Sequence, residues 1–331
     1  MLLALSIIPI SCSEDEPALD AATQRNVNVN SWIYKNMDFW YLWNDKLPAS
    51  PDKKTDPESF FASLLYTAED RFSWIQDDYQ ELLNSLKGVN KEAGYEFVLY
   101  RESEGSTNAV AQILYVKPGS PALAAGLKRG DLISHINEQQ LSTANYQQLL
   151  RATSENYSIR YKPLLVEEKK FDTEKTISLV PVQYAENPNL LNKVITVNDR
   201  KIGYYVYNLF TSGTDANAKA YDNEMDNVFA GFKSQGITDL VLDLRYNSGG
   251  SETSATNLAS LIGKGVNNTH VFAKREYNTQ VKDAILKDPN LGAEFLITKF
   301  LTKASNVGSQ LASNRVYVLT SSRTASASEL V

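Results

Sequence analysis

The 331-residue chain is poor in the residues that carry several common chemistries. It has one cysteine, Cys12, which excludes a disulfide framework and a cysteine-rich zinc site. It has two histidines. His135 follows Gly130-Asp131 in an apolar strand pattern, and His270 sits in a polar stretch after Asn267-Asn268-Thr269, so neither suits a Ser-His-Asp triad. Basic residues are not in excess: 33 Lys and Arg face 39 Asp and Glu, a net charge of −6, which argues against nucleic acid as a partner. No internal apolar run approaches the roughly 20 residues that cross a bilayer as a helix. What is present is a globular composition, 43% apolar and 10% aromatic, long enough for two or three domains.

The cysteine is placed where it has a meaning. An apolar segment, Leu2 to Ser11, runs into Cys12, and Ser13-Glu14-Asp15-Glu16-Pro17 follows. This resembles the hydrophobic region and lipobox of a bacterial lipoprotein, which implies a signal segment over 1–12 and a lipidated Cys12. The acids after it are similar to the surface-export signal of Bacteroidetes lipoproteins. The expected location is the cell envelope, held at the outer membrane by acyl chains, on the periplasmic face or the cell surface.

Residues 13–28 are polar and are expected to be a tether. Residues 29–87 read as a helical domain: Trp32, Ile33, Met37, Trp40 and Trp43 recur at three- and four-residue spacings until Pro48. Phe60-Phe61 with Leu64-Leu65 then mark a second helix, and Tyr79, Leu82, Leu83 and Leu86 a third. Residues 88–165 alternate in short strands around Pro118-Gly119-Ser120-Pro121-Ala122, Ala125-Gly126-Leu127 and Gly130-Asp131. That order resembles a PDZ domain of the type inserted in bacterial proteases. Gly94, Tyr95, Glu96 and Phe97 fall where such a domain captures a chain-terminal carboxylate, with the following strand free to pair with the peptide. Residues 166–192 are expected to be connector strands, and 193–331 an α/β layer.

In that last segment Leu240 to Leu244 is an apolar strand carrying one acid, Asp243, and it runs into Arg245, Asn247, Gly249 and Gly250 before a helix. Paired glycines at a strand end let a substrate carbonyl come close and offer N–H donors to it. Without Gly-Lys-Ser/Thr the turn is not a nucleotide loop. A second apolar strand ends in Thr324-Ala325-Ser326-Ala327-Ser328-Glu329, so a hydroxyl would stand at another strand end. Together these compose an acyl-transfer site.

The order of helical segment, PDZ, the Asp243 to Gly250 turn and the Thr324 to Glu329 turn resembles the tail-specific, or C-terminal processing, serine proteases. The stretch Trp32 to Trp43 is similar to their Bacteroidetes members. The resemblance implies a multidomain α/β protein: a helical N-terminal domain, a PDZ-like β-rich domain and an incomplete crotonase/ClpP-like α/β protease core. It implies that Ser326 is the nucleophile, with Ser328 the competitor, and that the Gly249 and Ala327 N–H groups form the oxyanion hole. Asp243, Arg245, Asn247, Gly250, Ser328 and Glu329 would support the motif. The PDZ domain would bind substrate C-termini, and no cofactor or metal is implied. The family's base is a lysine that would lie beyond Val331, so residues 1–331 are expected to be inactive as they stand. The competing expectation is a catalytically dead, peptide-binding envelope lipoprotein. Acyl-CoA chemistry on a crotonase-like core is a third, disfavoured by the PDZ unit.

Overall fold

The structure, a computed structural model, describes residues 19–312 and 315–331. The expected signal segment and Cys12 lie outside the described residues. The chain forms two compact units, one made of the chain up to Asp77 with Arg275–Leu296, the other of Asp78–Lys274 with Ile297–Val331.

In the first unit, helix α1 (Ala21–Trp40) starts at Asp20, whose carboxylate accepts the N–H groups of Ala22 at 2.9 Å and Thr23 at 3.0 Å. The expected tether over 13–28 is therefore helical from Ala21; the cap, not an apolar stripe, sets the start. Buried Asn30 donates to the carbonyls of Lys53 at 2.9 Å and Thr55 at 2.8 Å, which fastens the following loop. Helix α2 (Pro57–Leu64) is capped by Asp56 and starts with a proline, where a missing N–H costs nothing. Its Phe60 and Leu64 pack on Ile33 of α1. The Tyr41 hydroxyl donates to Asp70 at 2.9 Å and accepts the Tyr66 N–H at 2.9 Å.

This unit is completed from far along the chain. Asn278 caps the helix Thr279–Lys287 by accepting the Val281 N–H at 3.0 Å. Its amide nitrogen donates to the carbonyls of Phe39 and Tyr41, both at 2.7 Å, satisfying acceptors left open at the end of α1. Val281 and Ile285 are buried. The helical domain expected over 29–87 is thus cut at Asp77 and completed by 275–296, a partnership 239 residues apart in sequence.

In the second unit, α3 (Tyr79–Leu86) leads into β1 (Val89–Glu92), β2 (Tyr95–Arg101) and β3 (Ala109–Val116). Then come α4 (Pro121–Ala124), β4 (Leu132–Ile136), the short β5 (Gln139–Gln140), α5 (Tyr146–Arg151) and β6 (Tyr157–Lys162). The small hairpin β7 (Leu164–Leu165) and β8 (Lys170–Phe171) precedes β9 (Lys175–Leu179). The antiparallel sheet runs β2-β3-β4-β6-β9, with β5 on β4, around Ile113, Ile133, Ile136, Leu141 and Ile159. Because β9 pairs with β6 and buries Leu179, the PDZ sheet reaches past the expected boundary at 165 into the expected connector. Strand β2 is at the edge, its outer side unpaired by any strand of the described residues.

Strand β10 (Val182–Ala185) pairs back with β1. The hairpin β11 (Asn189–Val197) and β12 (Arg200–Tyr207) turns through Asn198 and Asp199, whose φ values of 47° and 64° suit a two-residue primed turn. Helix α6 (Ala220–Gln235) covers β13 (Asp239–Asp243) with Met225, Phe229 and Phe232. Helix α7 (Glu252–Ile262), the ribbon β14 (Val271–Lys274) and β15 (Ile297–Lys299), and β16 (Val316–Leu319) complete the unit. The sheet order is β11-β12-β13-β16, with β12, β13 and β16 parallel.

The Asn278 bonds give a stability prediction. Asn278→Ala removes one cap and leaves two carbonyls short of a donor, so it should lower stability by about 2–3 kcal/mol. Asn278→Asp keeps the cap but not the donor, and should recover only part of that loss in urea unfolding followed by tryptophan fluorescence.

Candidate active site

Parallel pairing sends the ends of β12, β13 and β16 to one edge of the sheet, where Val206 faces Asp243 and Asp243 faces Leu319. The turns leaving β13 and β16 are then tied together residue by residue. Leu244 N–H donates to Leu319 O at 2.9 Å, Thr324 Oγ1 to Leu244 O at 2.8 Å, and Ala325 N–H to Asn247 O at 3.3 Å. Ser321 Oγ donates to the Arg245 carbonyl.

Asn247, with 0% exposure, is the centre of this arrangement. Its Nδ2 donates to Tyr207 O at 3.0 Å at the end of β12. Its Oδ1 accepts the Gly249 N–H at 2.9 Å and faces Ser328 Oγ at 2.8 Å. One side chain thus joins three strand ends. Beneath it, Asp243 is held by Arg245 at 2.6–3.1 Å and by the Tyr204 hydroxyl at 2.6 Å. Burial alone would raise the Asp243 carboxyl; the Arg245 and Tyr204 hydrogen bonds outweigh it and hold the group below the usual carboxylate range.

Ser326 is exposed, opens a 3₁₀ turn (Ser326–Glu329), and has φ of 54°, a left-handed conformation that costs a serine energy. Its N–H donates to Glu329 Oε2 at 3.0 Å, so that carboxylate fastens the turn. Ser328 differs in every respect: it is buried, and its hydroxyl meets both Asn247 O at 3.0 Å and Asn247 Oδ1 at 2.8 Å. A hydroxyl held in this way has no path to an outside carbonyl.

Gly249 faces the serine. A Cβ built on it would lie 2.6 Å from Ser326 Cβ, 2.8 Å from Ala325 O and 3.0 Å from Ala327 N, and its φ is +106°. Only glycine fits. Its N–H, expected as an oxyanion donor, is donated instead to Asn247 Oδ1. The reason is local: Asn247, fixed from the Tyr207 side, turns its oxygen back over its own loop. Gly250 packs as tightly on another side, where a Cβ would meet Phe210 O at 2.1 Å.

The predicted peptide-binding residues lie in the same unit. Gly94 accepts the Lys117 N–H at 2.9 Å and the Ser120 hydroxyl at 3.1 Å, and Tyr95 opens β2. Glu96 pairs with Lys117 at 3.2 Å, and Phe97 O accepts Arg323 Nη2 at 2.6 Å, so the turn before Ser326 touches the edge strand. His135 bonds its neighbour Ser134 within β4, and His270 is exposed before β14; neither hydrogen-bonds the Ser326 turn among the described residues. Sequence reasoning missed Lys117, buried among Glu92, Glu186 and Glu96 at 2.7, 2.9 and 3.2 Å. Burial would lower its pKa, but the three carboxylates outweigh that and raise it. Lys117 therefore stays protonated and cannot serve as a neutral-amine base. No sequence signal marks it, because its partners come from positions 92, 96 and 186.

The PDZ sheet, the parallel α/β core with a hydroxyl at a strand end, and the family matches that follow together identify a serine-type peptidase. The model of Peptidase family S41 matches residues 201–331, that of the Peptidase S41 N-terminal domain residues 28–74, and a PDZ domain model residues 112–161. The chain belongs to peptidase family S41. A crystal structure from Bacteroides fragilis NCTC 9343, assigned to the S41 proteases, is 25% identical over 90% of this chain and 73% of its own, with a TM-score of 0.62. The photosystem II D1 C-terminal processing protease is 16% identical over 92% of this chain and 77% of its own, with a TM-score of 0.46. Among curated proteins none matches the sequence.

Two outcomes follow from this geometry. Gly249→Ala must displace the backbone of the Ser326 turn and should cost more than about 2 kcal/mol, read from thermal unfolding. The Asp243 carboxyl has a folded pKa below its unfolded value of about 3.9. Its contribution is therefore complete above that value and lost as pH falls through the folded pKa. The stability gap between wild type and Asp243→Asn should be constant from pH 7 to about 5 and narrow below about 4.

Proposed function

We propose that this S41 peptidase is a serine endopeptidase of the C-terminal processing type, with Ser326 as its nucleophile. The observation that carries the choice is the contrast at one turn: Ser326 is exposed beside Gly249, while the Ser328 hydroxyl is held by Asn247. In this reading Ser326 Oγ attacks a peptide carbonyl and gives up its proton to a base. The Ala327 N–H, next to the attacking residue, donates to the developing oxyanion. Gly249 acts by lacking a side chain, which lets the Ser326 turn pack directly against it. The base is a lysine, as the family resemblance implies.

The PDZ sheet would take an apolar C-terminal tail on the edge of β2 that no described strand pairs, around Gly94, Tyr95, Glu96 and Phe97 and beside the Arg323 contact on the Phe97 carbonyl. Glu96 is not a free negative charge there, since Lys117 and Arg323 balance it at 3.2 and 3.9 Å. The proposed place of action is the cell envelope, with the protein anchored by acyl chains on Cys12; the support is the apolar run before that cysteine and the acids after it.

The test uses the protein expressed through its gene's own stop codon and a peptide with an apolar free C-terminus. Ser326→Ala should lower cleavage by at least about 10³-fold. Ser328→Ala should keep measurable cleavage and lose about 1–3 kcal/mol of stability. The reverse pattern would move the nucleophile to Ser328. Absence of cleavage by wild type, with tail binding retained, would leave a peptide-binding protein.

A further inference from the structure

The first unit gathers all four tryptophans of the chain, Trp32, Trp40, Trp43 and Trp74. Three of them are largely exposed: Trp32 at 65%, Trp40 at 59% and Trp74 at 56%. Trp32, Asn36 and Trp40 follow one another at four-residue spacing on α1 and so share one side of the helix. Exposed Arg25 and Val29 fall on the same side, which makes one stripe along α1. Beside the stripe a groove of about 300 Å³ opens between Trp32, Met37, Trp40, Phe61 and Ile75. Ile75 belongs to the segment that carries Phe72 and Trp74, both exposed. That segment is held in place, since Asp70 Oδ1 accepts the N–H groups of Phe72 at 3.1 Å and Ser73 at 3.0 Å.

The charges of α1 are sorted around this stripe. Arg25 lies on it and exposed Lys35 at its margin, whereas Asp38, the helix's one acid, stands about 200° around from Asn36. In the neighbouring segment the Arg71 guanidinium lies 5.3 Å from the Phe72 ring centre. Exposed indoles flanked by cations suit the headgroup level of a bilayer. The position of Cys12 says what covers the stripe. Cys12 stands eight residues before Asp20, the cap of α1, and such a stretch spans at most about 28 Å. Helix α1 itself is about 30 Å long. An acyl anchor at Cys12 therefore keeps α1 within about its own length of the lipid surface, with Arg25 toward the near end.

We propose that this face of α1, together with the aromatic residues at 72–74, docks on the bilayer that holds the acyl anchor. Trp32 and Trp40 enter the boundary between headgroups and acyl chains, Arg25 meets lipid phosphate, and the groove beside them receives an acyl segment. An anchor at one point leaves rotation free; a second contact along α1 fixes which side of this unit faces the lipid. The proposal rests on the envelope-anchor reading for its place in the cell, but docking can be measured on a chain that carries no acyl group.

The experiment uses the chain from Ser13 through its gene's own stop codon, without an acyl group, and vesicles of phosphatidylcholine with or without phosphatidylglycerol. Binding is read by flotation, and depth by quenching of tryptophan fluorescence with bromine-labelled acyl chains. Wild type should bind and be quenched. The double variant Trp32→Gln, Trp40→Gln should bind at least about 10-fold more weakly and lose most of the quenching. Arg25→Gln should lower the affinity for vesicles containing phosphatidylglycerol about 5-fold. Val29→Glu puts an acid on the stripe at an exposed position, and is the second variant if the tryptophan pair does not fold. Wild type that neither floats nor is quenched would overturn the docking face, as would binding that both variants leave intact. Self-association without vesicle binding, lost in the double variant, would instead make this face an interface between copies of the chain. Acylation is read separately, by mass spectrometry of the native protein. Docking with Cys12 unmodified would support the face and sink the anchor; acylated Cys12 without docking would keep the anchor and overturn the face.

Discussion

The site depends on the Asn247 side chain, which is buried at the point where three parallel strands end. Its amide has to be satisfied inside the protein, and the partners it finds are Tyr207 O, Gly249 N–H and Ser328 Oγ. Each belongs to a different strand-end segment, so the cost of burying one polar group is offset only when all three segments are in register. Packing alone would let the loops after β13 and β16 slide. The shared amide, with Leu244 to Leu319 and Thr324 to Leu244 on the same seam, removes that freedom.

That fixed seam is what allows a strained residue to persist. Ser326 at φ of 54° is unfavourable by itself, and it is held by Ala325 N–H on Asn247 O, by Ser328 on Asn247 and by its own N–H on Glu329. The outcome is an exposed serine beside a glycine that can have no side chain. Two serines two residues apart thus receive opposite fates from one asparagine. Charge is settled locally too: Asp243 is paired with Arg245, and buried Lys117 is held by Glu92, Glu96 and Glu186.

Much of this was legible in the sequence because it is local. The apolar strand around Asp243, the paired glycines and the Ser326 to Glu329 cluster each sit within about ten residues, and each element formed close to where its pattern put it. The PDZ turns were legible for the same reason. Boundaries were less so. Helix α1 starts at a polar cap with no apolar stripe, and β9 joins the PDZ sheet through pairing with β6, which periodicity in one short strand does not encode. The helix Thr279–Lys287 completes the N-terminal unit through Asn278, and nothing near position 278 names Phe39 and Tyr41 as its acceptors.

By itself the sequence determined the kinds of element, their order and the two motifs whose residue types suit acyl transfer, since hydrophobic period, glycine freedom and capping act over a few residues. Tertiary structure decided which groups are available. It committed the Gly249 N–H to Asn247, hid the Ser328 hydroxyl and left Ser326 exposed. It also gathered Lys117 with acids from positions 92, 96 and 186, and left Asn208 Oδ1 without a donor. Hydrogen-bond and charge balance are summed over everything that shares a site in space, and that sum is fixed only when distant segments meet.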